Sequence, residues 1–331
     1  MKKMLNKLMT SRPESLKVWL LIIFFGILFT IPLWVKDPAI LTIFIYTFLY
    51  AFYGASWSII GKYGGQISLG HAVCFGLGAY ISVWLHQYYG ISIWLGMFAG
   101  GVVAALIFLL IGLVCFRLRG LFFILTTLAF AEVVRVIFNY PLNPLTNGDE
   151  GIALFKLQFM EKWPYYFIAL AMMILVMIIL QRIEKSKLGY YLAAIREEQE
   201  AAESIGINSV KYKSIALTIS GFLSALSGAF YVHFLGWIGV TDVFGIMVSI
   251  QPIIISWVGG SGVFGPIIGS FIVTPVSLFL ALLLGGAVRG LNHIVYAVTL
   301  IFIVMFMPEG VTGVLSRKVY HPLRKRFETI E

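Results

Sequence analysis

Long apolar runs alternate with short polar segments along most of this chain. A helix needs about 20 residues to cross a hydrocarbon core of about 30 Å, and many of the runs reach that length. They lack the period-2 alternation of barrel strands, so they predict helices. We predict about ten crossings, at about 17–35, 39–60, 66–85, 91–115, 120–139, 163–181, 214–236, 246–258, 264–284 and 291–307.

Composition strengthens this interpretation. Apolar residues make up 60% of the 331 residues and charged residues 12%, against about 45–50% and 25% in soluble domains. The mean hydropathy is +0.94. So few charges cannot cover a water-soluble surface. The predicted fold class is all-α: a polytopic helical membrane protein in which residues 1–331 form a single transmembrane domain.

Basic residues are concentrated in a few segments. The net charge is +9, and most Lys and Arg lie within residues 2–17, at Lys62, and within 117–119, 182–213 and 317–326. Ten crossings that start inside place all these clusters and both termini in the cytoplasm, as the positive-inside rule expects. Membrane orientation thus explains the basic charge, and we expect no nucleic-acid partner. The apolar run after the basic N-terminus is long and lacks a cleavage site, which favours an uncleaved signal anchor.

Two glycine-rich segments, 61–70 and 258–269, each interrupt the apolar pattern and lead directly into an apolar run. Such paired interruptions are typical of broken helices and of an inverted repeat with a substrate path at the midplane. The alternative is that glycine only permits close helix packing. The predicted broken-helix glycines are Gly64, Gly65, Gly70, Gly259, Gly260, Gly262 and Gly265.

Five polar residues are candidates for lining a translocation path. Gln66, Ser68 and His71 flank the first break, where they could either satisfy freed backbone groups or line the path. Glu132 and Arg135 are three residues apart and share a helix face. They are either a structural ion pair or part of the path lining.

The sequence offers no catalytic site. Gly65 and Gly70 have the spacing of a phosphate-binding loop, but His71 stands where the loop requires Lys, so we expect no ATP hydrolysis by this chain. No metal-ligand spacing occurs, and Cys74 and Cys115 lie singly in apolar runs. We predict no catalytic residue, metal or cofactor on this chain. An intramembrane hydrolase using His71 and Ser68 is an alternative that no local motif supports.

Segment 182–213 is hydrophilic and helical in pattern. Its simplest interpretation is a solvated loop helix, and the alternative is a docking helix for a soluble partner. The sequence Glu200-Ala201-Ala202-x-x-x-Gly206 favours the second, because it resembles the EAA loop by which permeases of ATP-binding-cassette importers engage their ATPase. The Ile-x-Leu-Pro that often follows in that loop is absent. The predicted coupling residues are Arg196, Glu197, Glu200, Ala201, Ala202 and Gly206.

The wider chain, over about 60–315, resembles the M-type permease subunit of branched-chain amino acid importers. The matching segments are Gly65-Gln66-Ile67-Ser68-Leu69-Gly70-His71, Gly78-Ala79-Tyr80, Arg117-x-Arg119-Gly120, Thr127–Glu132, Ala194–Glu197 with Gly206-Ile207-Asn208, Gly259–Pro266 and Met307-Pro308-x-Gly310. One segment departs from the family: residues 146–151 read T-N-G-D-E-G where T-G-G-x-x-G is usual.

The resemblance implies a permease that forms half of a translocation pore in the plasma (inner) membrane. Its implied partners are a second homologous permease, two ATP-binding subunits that carry ATP and magnesium, and an extracytoplasmic solute-binding protein. The same permease group includes importers of urea and short amides, which is the main alternative for the solute. An ion-coupled secondary amino acid transporter is the alternative of another class, and it would need an ion site that the sequence hardly offers beyond Glu132.

Overall fold

The computed structural model describes residues 23–35, 37–116, 118, 120–154, 158–283, 298, 301, 305 and 310–315. Four predicted features lie wholly or largely outside the described residues. They are the basic N-terminus with the start of the first span, the charges Arg117 and Arg119, the span 291–307 with the Met307-Pro308 motif, and the basic tail.

The described part of the chain is almost entirely helical. Its helices are α1 Ile23–Trp34, α2 Pro38–Ser58, α3 His71–Tyr89, α4 Ile93–Cys115, α5 Leu121–Asn139, α6 Asn143–Thr146, α7 Lys162–Glu184, α8 Lys187–Glu197, α9 Gln199–Ser204, α10 Ser209–Leu235, α11 Val240–Phe244, α12 Ile246–Gly259, α13 Gly265–Leu283 and α14 Gly310–Leu315. Among the described residues, six spans are long and apolar enough to cross a membrane. This confirms a polytopic helical membrane protein, while the total of ten crossings stays a prediction.

Side chains that accept hydrogen bonds from the first turn fix where several helices begin. The Asp37 carboxylate accepts from Ala39 N at 2.8 Å ahead of α2, and Asn208 Oδ1 accepts from Lys211 N at 2.9 Å ahead of α10. These contacts satisfy amide groups that have no partner within the helix. One predicted boundary was wrong. The third span was expected to begin near residue 66, but α3 begins at His71, after a non-helical segment 64–70.

Helices α3 and α10 pack closely at the centre of the bundle, with α2 and α4 against them. Glycine permits this approach at two points. A Cβ built on Gly78 would lie 2.0 Å from Ala225 O, and one built on Gly228 would lie 1.9 Å from Phe75 O. Helix α5 packs differently. It lies at the periphery and buries only one face, formed by Phe123, Thr127, Ala131 and Phe138.

The loops divide between two ends of the bundle. At one, the ribbon end, strand β1 (Ile152–Ala153) pairs antiparallel with β2 (Trp237–Ile238), which follows α10. Trp84 near the end of α3 donates to Leu145 O at 3.2 Å there. At the other, the α8–α9 end, lie α8, α9 and both glycine breaks. Which end faces the cytoplasm stays a prediction.

Candidate functional site

The first break begins where α2 loses its regular hydrogen bonding. The helix widens into a π turn at Ile59–Tyr63, and the chain then turns back through residues 64–70. Gln66 N donates to Ile60 O at 3.1 Å, which closes the turn. A Cβ on Gly64 would lie 2.8 Å from Ile60 O, and Gly65 has a φ of +65°, so both positions favour glycine. Gly70 directly precedes α3, and a Cβ there would lie 3.4 Å from Thr127 O.

Polar side chains from three helices satisfy the backbone of this break. Trp57 Nε1 of α2 donates to Ser68 O at 2.9 Å, and Thr127 Oγ1 of α5 accepts from Leu69 N at 3.1 Å. Ser249 Oγ of α12 accepts from Ala72 N at 3.0 Å, in the first turn of α3. Non-helical backbone at membrane depth is tolerated only where such partners or water are present. The break is therefore held by α2, α5 and α12 together.

A buried hydrogen-bond network begins at His71. Ser220 Oγ donates to Ser56 O at 2.7 Å and lies 2.7 Å from His71 Nε2, so it accepts a hydrogen bond from the His71 ring. The neutral ring then carries its proton on Nε2. Ser56 Oγ also bonds Ser224 Oγ at 2.8 Å. Ser68 and His71 are fully buried and contact protein in this conformation, whereas Gln66 is half-buried.

The second break brings the end of α12 against the start of α13. A Cβ on Gly259 would lie 1.6 Å from Gly265 O, and one on Gly265 would lie 2.1 Å from Gly260 O. Gly260 and Gly262 have φ values of +87° and +83°. Only glycine fits so close an approach combined with these backbone angles. Both interpretations of the glycines, broken helix and close packing, thus apply at the same place.

Helices α2 and α12 run side by side in the same direction. Ser256 Oγ donates to Gly54 O at 2.8 Å and bonds Ser58 Oγ at 2.9 Å, and one turn further along, Lys62 Nζ donates to Gly260 O. The two breaks are therefore in contact at the same end of the bundle. The inverted repeat stays a prediction.

Arg196 of α8 contacts the first break. Its Nη1 donates to Lys62 O at 3.1 Å, and its side chain lies across Gly65, where a Cβ would be 2.7 Å from Arg196 Cγ. Its Nη2 pairs with Glu197 Oε1 at 2.7 Å. We call Lys62, Gly65, Arg196 and Gly260 the junction. It joins the predicted coupling segment to both glycine breaks.

The predicted coupling segment, residues 182–213, forms helices α8 and α9 and the turn that leads into α10. Ala202 of α9 is buried, while Glu200, Ala201 and Gly206 are exposed. Gly206 has a φ of +88° and open space around it, which allows the turn into α10. Gln199 fixes α9 to its surroundings, since its Oε1 accepts from Lys213 Nζ at 2.7 Å and its Nε2 donates to Glu203 Oε1 at 2.9 Å.

Glu132 and Arg135 form the predicted ion pair on α5. Arg135 Nε lies 3.1 and 3.0 Å from the two Glu132 carboxylate oxygens. Their side chains are 52% and 30% exposed, and they lie about one and a half and two turns along α5 from Thr127, which contacts the first break. The structure therefore separates these two path candidates from Gln66, Ser68 and His71.

Two residues of this site were missed by the sequence analysis. Lys62 was taken only as an orientation charge, although it is the only Asp, Glu, Lys or Arg in residues 38–116 and lies within a glycine break. Ile205 at the tip of the α9 turn is 76% exposed, an unusual place for a large apolar side chain outside the apolar runs. The sequence carries two signals that could have identified these residues. Lys62 is a single cation within a glycine break, and Ile205 is a large apolar residue next to the acidic helix.

Comparison with known proteins identifies the family. A family model for the permease component of branched-chain amino acid transport systems matches residues 39–306. The chain is 27% identical over 223 residues to the high-affinity branched-chain amino acid transport system permease protein LivM of Salmonella typhimurium, and equally to that of Escherichia coli. These matches cover 58% of this chain and 52% of each relative.

A tyrosine transport system permease protein of Clostridioides difficile is 30% identical over 192 residues, covering 54% of this chain and 62% of that protein. The matches thus span about half to three fifths of these curated relatives. No solved structure matches the chain. Because the family model covers most of the sequence, the chain belongs to the family of permease components of branched-chain amino acid transport systems.

Proposed function

We propose that this chain is the permease subunit of an ATP-binding-cassette importer and forms half of a translocation pore for branched-chain amino acids. The observation that carries the proposal, beyond family membership, is the contact of the coupling segment with the first break. Arg196 donates to Lys62 O and lies against Gly65, so movement of α8 and α9 acts directly on a broken helix.

The proposed ATPase docking surface is the exposed part of the coupling segment. Glu197, Glu200, Ala201 and Gly206 are exposed there, and Ile205 adds an apolar tip. Ala202 is buried and fixes α9 on the bundle. In this proposal the α8–α9 end and both termini face the cytoplasm, and two partner subunits bind ATP and magnesium. Closure of the ATPases moves the coupling segment, and the pore switches its open side.

The second permease is proposed to face α5. This helix buries one narrow face and leaves the Glu132–Arg135 pair outside the fold of the single chain. A charged pair is costly against lipid and favourable beside a water-filled passage. A path formed between two permeases at this face accounts for the pair. The extracytoplasmic solute-binding protein is proposed to dock at the ribbon end. The permease itself is proposed to lie in the plasma (inner) membrane.

Branched-chain amino acids are the proposed solutes because the described spans carry few fixed charges with which to hold a polar solute. Urea would need several paired donors and acceptors, which makes a urea or short-amide importer the second candidate. A secondary transporter is disfavoured because Glu132, the carboxylate most suited to an ion site, is already paired with Arg135. Selectivity then lies in the solute-binding protein.

The proposal is tested with the complete complex in proteoliposomes. ATP-driven uptake of leucine and valine, unchanged by ionophores, is expected, with tyrosine, urea and acetamide as the comparison solutes. Leucine should bind the permeases alone no more tightly than about 1 mM, or about −4 kcal/mol. Uptake of urea in preference to leucine, or uptake that needs an ion gradient and no ATP, would overturn the proposal.

A further inference from the structure

Lys62 ends one helix and binds the end of another. It is the fourth residue of the π turn Ile59–Tyr63, and its side chain is half-buried. Its Nζ donates to Gly260 O, at the C-terminus of α12, and lies close to Gly265, where a Cβ would be 3.2 Å away. The last carbonyl groups of a helix carry partial negative charge and have no partner within the helix. The Lys62 ammonium group therefore caps α12.

Arg196 makes the same kind of contact with the C-terminal end of α2. Its guanidinium group donates to the carbonyl of Lys62, which lies at the C-terminal end of α2 and its π turn. Two cations thus cap two helix ends in series, from α8 to α2 and from α2 to α12. Lys62 belongs to both contacts, because its carbonyl accepts from Arg196 and its ammonium donates to Gly260.

The second break is also tied to α14. A Cβ on Gly310 would lie 2.3 Å from Gly260 Cα, and Thr312 Oγ1 donates to Ser261 O at 3.2 Å. The backbone of Gly260 and Ser261 is therefore held between the Lys62 ammonium group and α14. A shift of Lys62 changes how α12 ends and how α13 begins.

We propose that Lys62 is a positioning residue that transmits movement of the coupling segment to the second glycine break, so that both breaks move together when the ATPases close. The inference rests on the proposed function, in which closure of the ATPases supplies that movement. It assigns to this single cation the link between α8 and α12. Neither the family match nor the predicted coupling segment says which residue links α8 to α12.

The first test measures uptake and ATP hydrolysis in the reconstituted complex. Lys62→Met keeps the length of the side chain and removes its charge, and uptake per ATP hydrolysed should fall about tenfold. Lys62→Arg keeps a cation that can reach a carbonyl and should retain most uptake. The matched control is Lys162→Met, which removes a cation that also donates to a backbone carbonyl, Pro38 O, but at the opposite end of α2. Coupled uptake by Lys62→Met would overturn the proposal, as would equal loss in Lys62→Arg.

The second test needs no solute and therefore separates this proposal from the proposed function. Hydrogen exchange is measured on the purified full-length subunit. Arg196→Ala should speed exchange in both breaks, including residues 259–265, and Lys62→Met should speed exchange at 259–265 about fivefold while leaving α8 unchanged. Unaltered exchange at 259–265 in both variants would refute the link even if the complex imports leucine.

Discussion

At the scale of single residues, hydrogen-bonding side chains decide where this chain can leave helical conformation within the bundle. Three side chains each form a hydrogen bond with one backbone group of the first break or of the first turn of α3: Trp57, Thr127 and Ser249. An unsatisfied amide or carbonyl in an apolar environment costs several kcal/mol, so each of these side chains is part of the reason why a broken helix is stable here.

A carboxylate has a similar role at the ribbon end. Asp149 accepts from Thr241 Oγ1 at 2.5 Å and from Thr241 N at 3.3 Å, and also from Asn139 Nδ2 at 3.2 Å. These hydrogen bonds, that of the Thr241 hydroxyl first, lower the pKa of Asp149. A group whose folded pKa is lowered contributes stability above its unfolded pKa, about 3.9 for Asp, and loses it as the pH falls through the folded pKa.

We therefore expect Asp149→Asn to loosen the contact between the 140–154 loop and α11 at pH 7. Amide exchange around residues 148–154 and 240–242 should be about threefold faster than in the wild type. The ratio should approach one only as the pH falls through the lowered pKa of Asp149 in the folded protein, where the wild-type carboxylate also becomes protonated. The neighbouring exposed Glu150, changed to Gln, is the control. A ratio that is independent of pH would show that these hydrogen bonds do not stabilise the loop.

At the scale of elements, α3 and α10 are held together by backbone contact. Small residues at helix interfaces allow this in membrane proteins, and here Gly78 meets Ala225 while Gly228 meets Phe75. A methyl group at either glycine would have to push two helix backbones apart.

Gly228→Ala should thus destabilise the protein by about 1–3 kcal/mol, because overpacking outweighs the gain in helix propensity. The control is Gly26→Ala in α1, where a Cβ meets nothing within 4 Å, so that the gain in helix propensity remains and the variant should be as stable as the wild type or up to about 1 kcal/mol more stable. Thermal unfolding of both variants in the same detergent measures the difference. Equal midpoints would contradict the close packing of α3 and α10.

The helices themselves were largely predictable, because an apolar run of membrane-spanning length must satisfy its own backbone hydrogen bonds and therefore forms a helix. The first glycine break was also predicted, but its extent through residues 66–70 was not, because that conformation depends on hydrogen bonds from Trp57 and Thr127. The helices of the hydrophilic segment 182–213 were predictable from its composition, while its coupling role stays a prediction. The role of Lys62 was not predictable, because Gly260 lies 198 residues further along the chain and only the fold brings the two together.

At the scale of the whole molecule, the bundle has two ends with different chemistry. The α8–α9 end joins an exposed acidic helix to two glycine breaks through Arg196 and Lys62. The ribbon end is closed by the strand pair and the contacts of Asp149. Between them, α5 presents an exposed face with one ion pair. This arrangement fits a subunit that receives motion at one end and shares a path with a partner along its side.

ATP-driven leucine uptake by Gly206→Leu and Gly90→Leu complexes in proteoliposomes tests this account most directly. Gly206 and Gly90 have φ values of +88° and +64°, and a Cβ meets nothing within 4 Å at either. Both variants therefore carry a comparable left-handed strain of about 1–2 kcal/mol, but only Gly206 lies in the coupling segment. Gly206→Leu is expected to insert normally and to lose uptake together with ATPase docking, while Gly90→Leu is expected to retain both. Normal uptake by Gly206→Leu, or equal loss in the two variants, would contradict it.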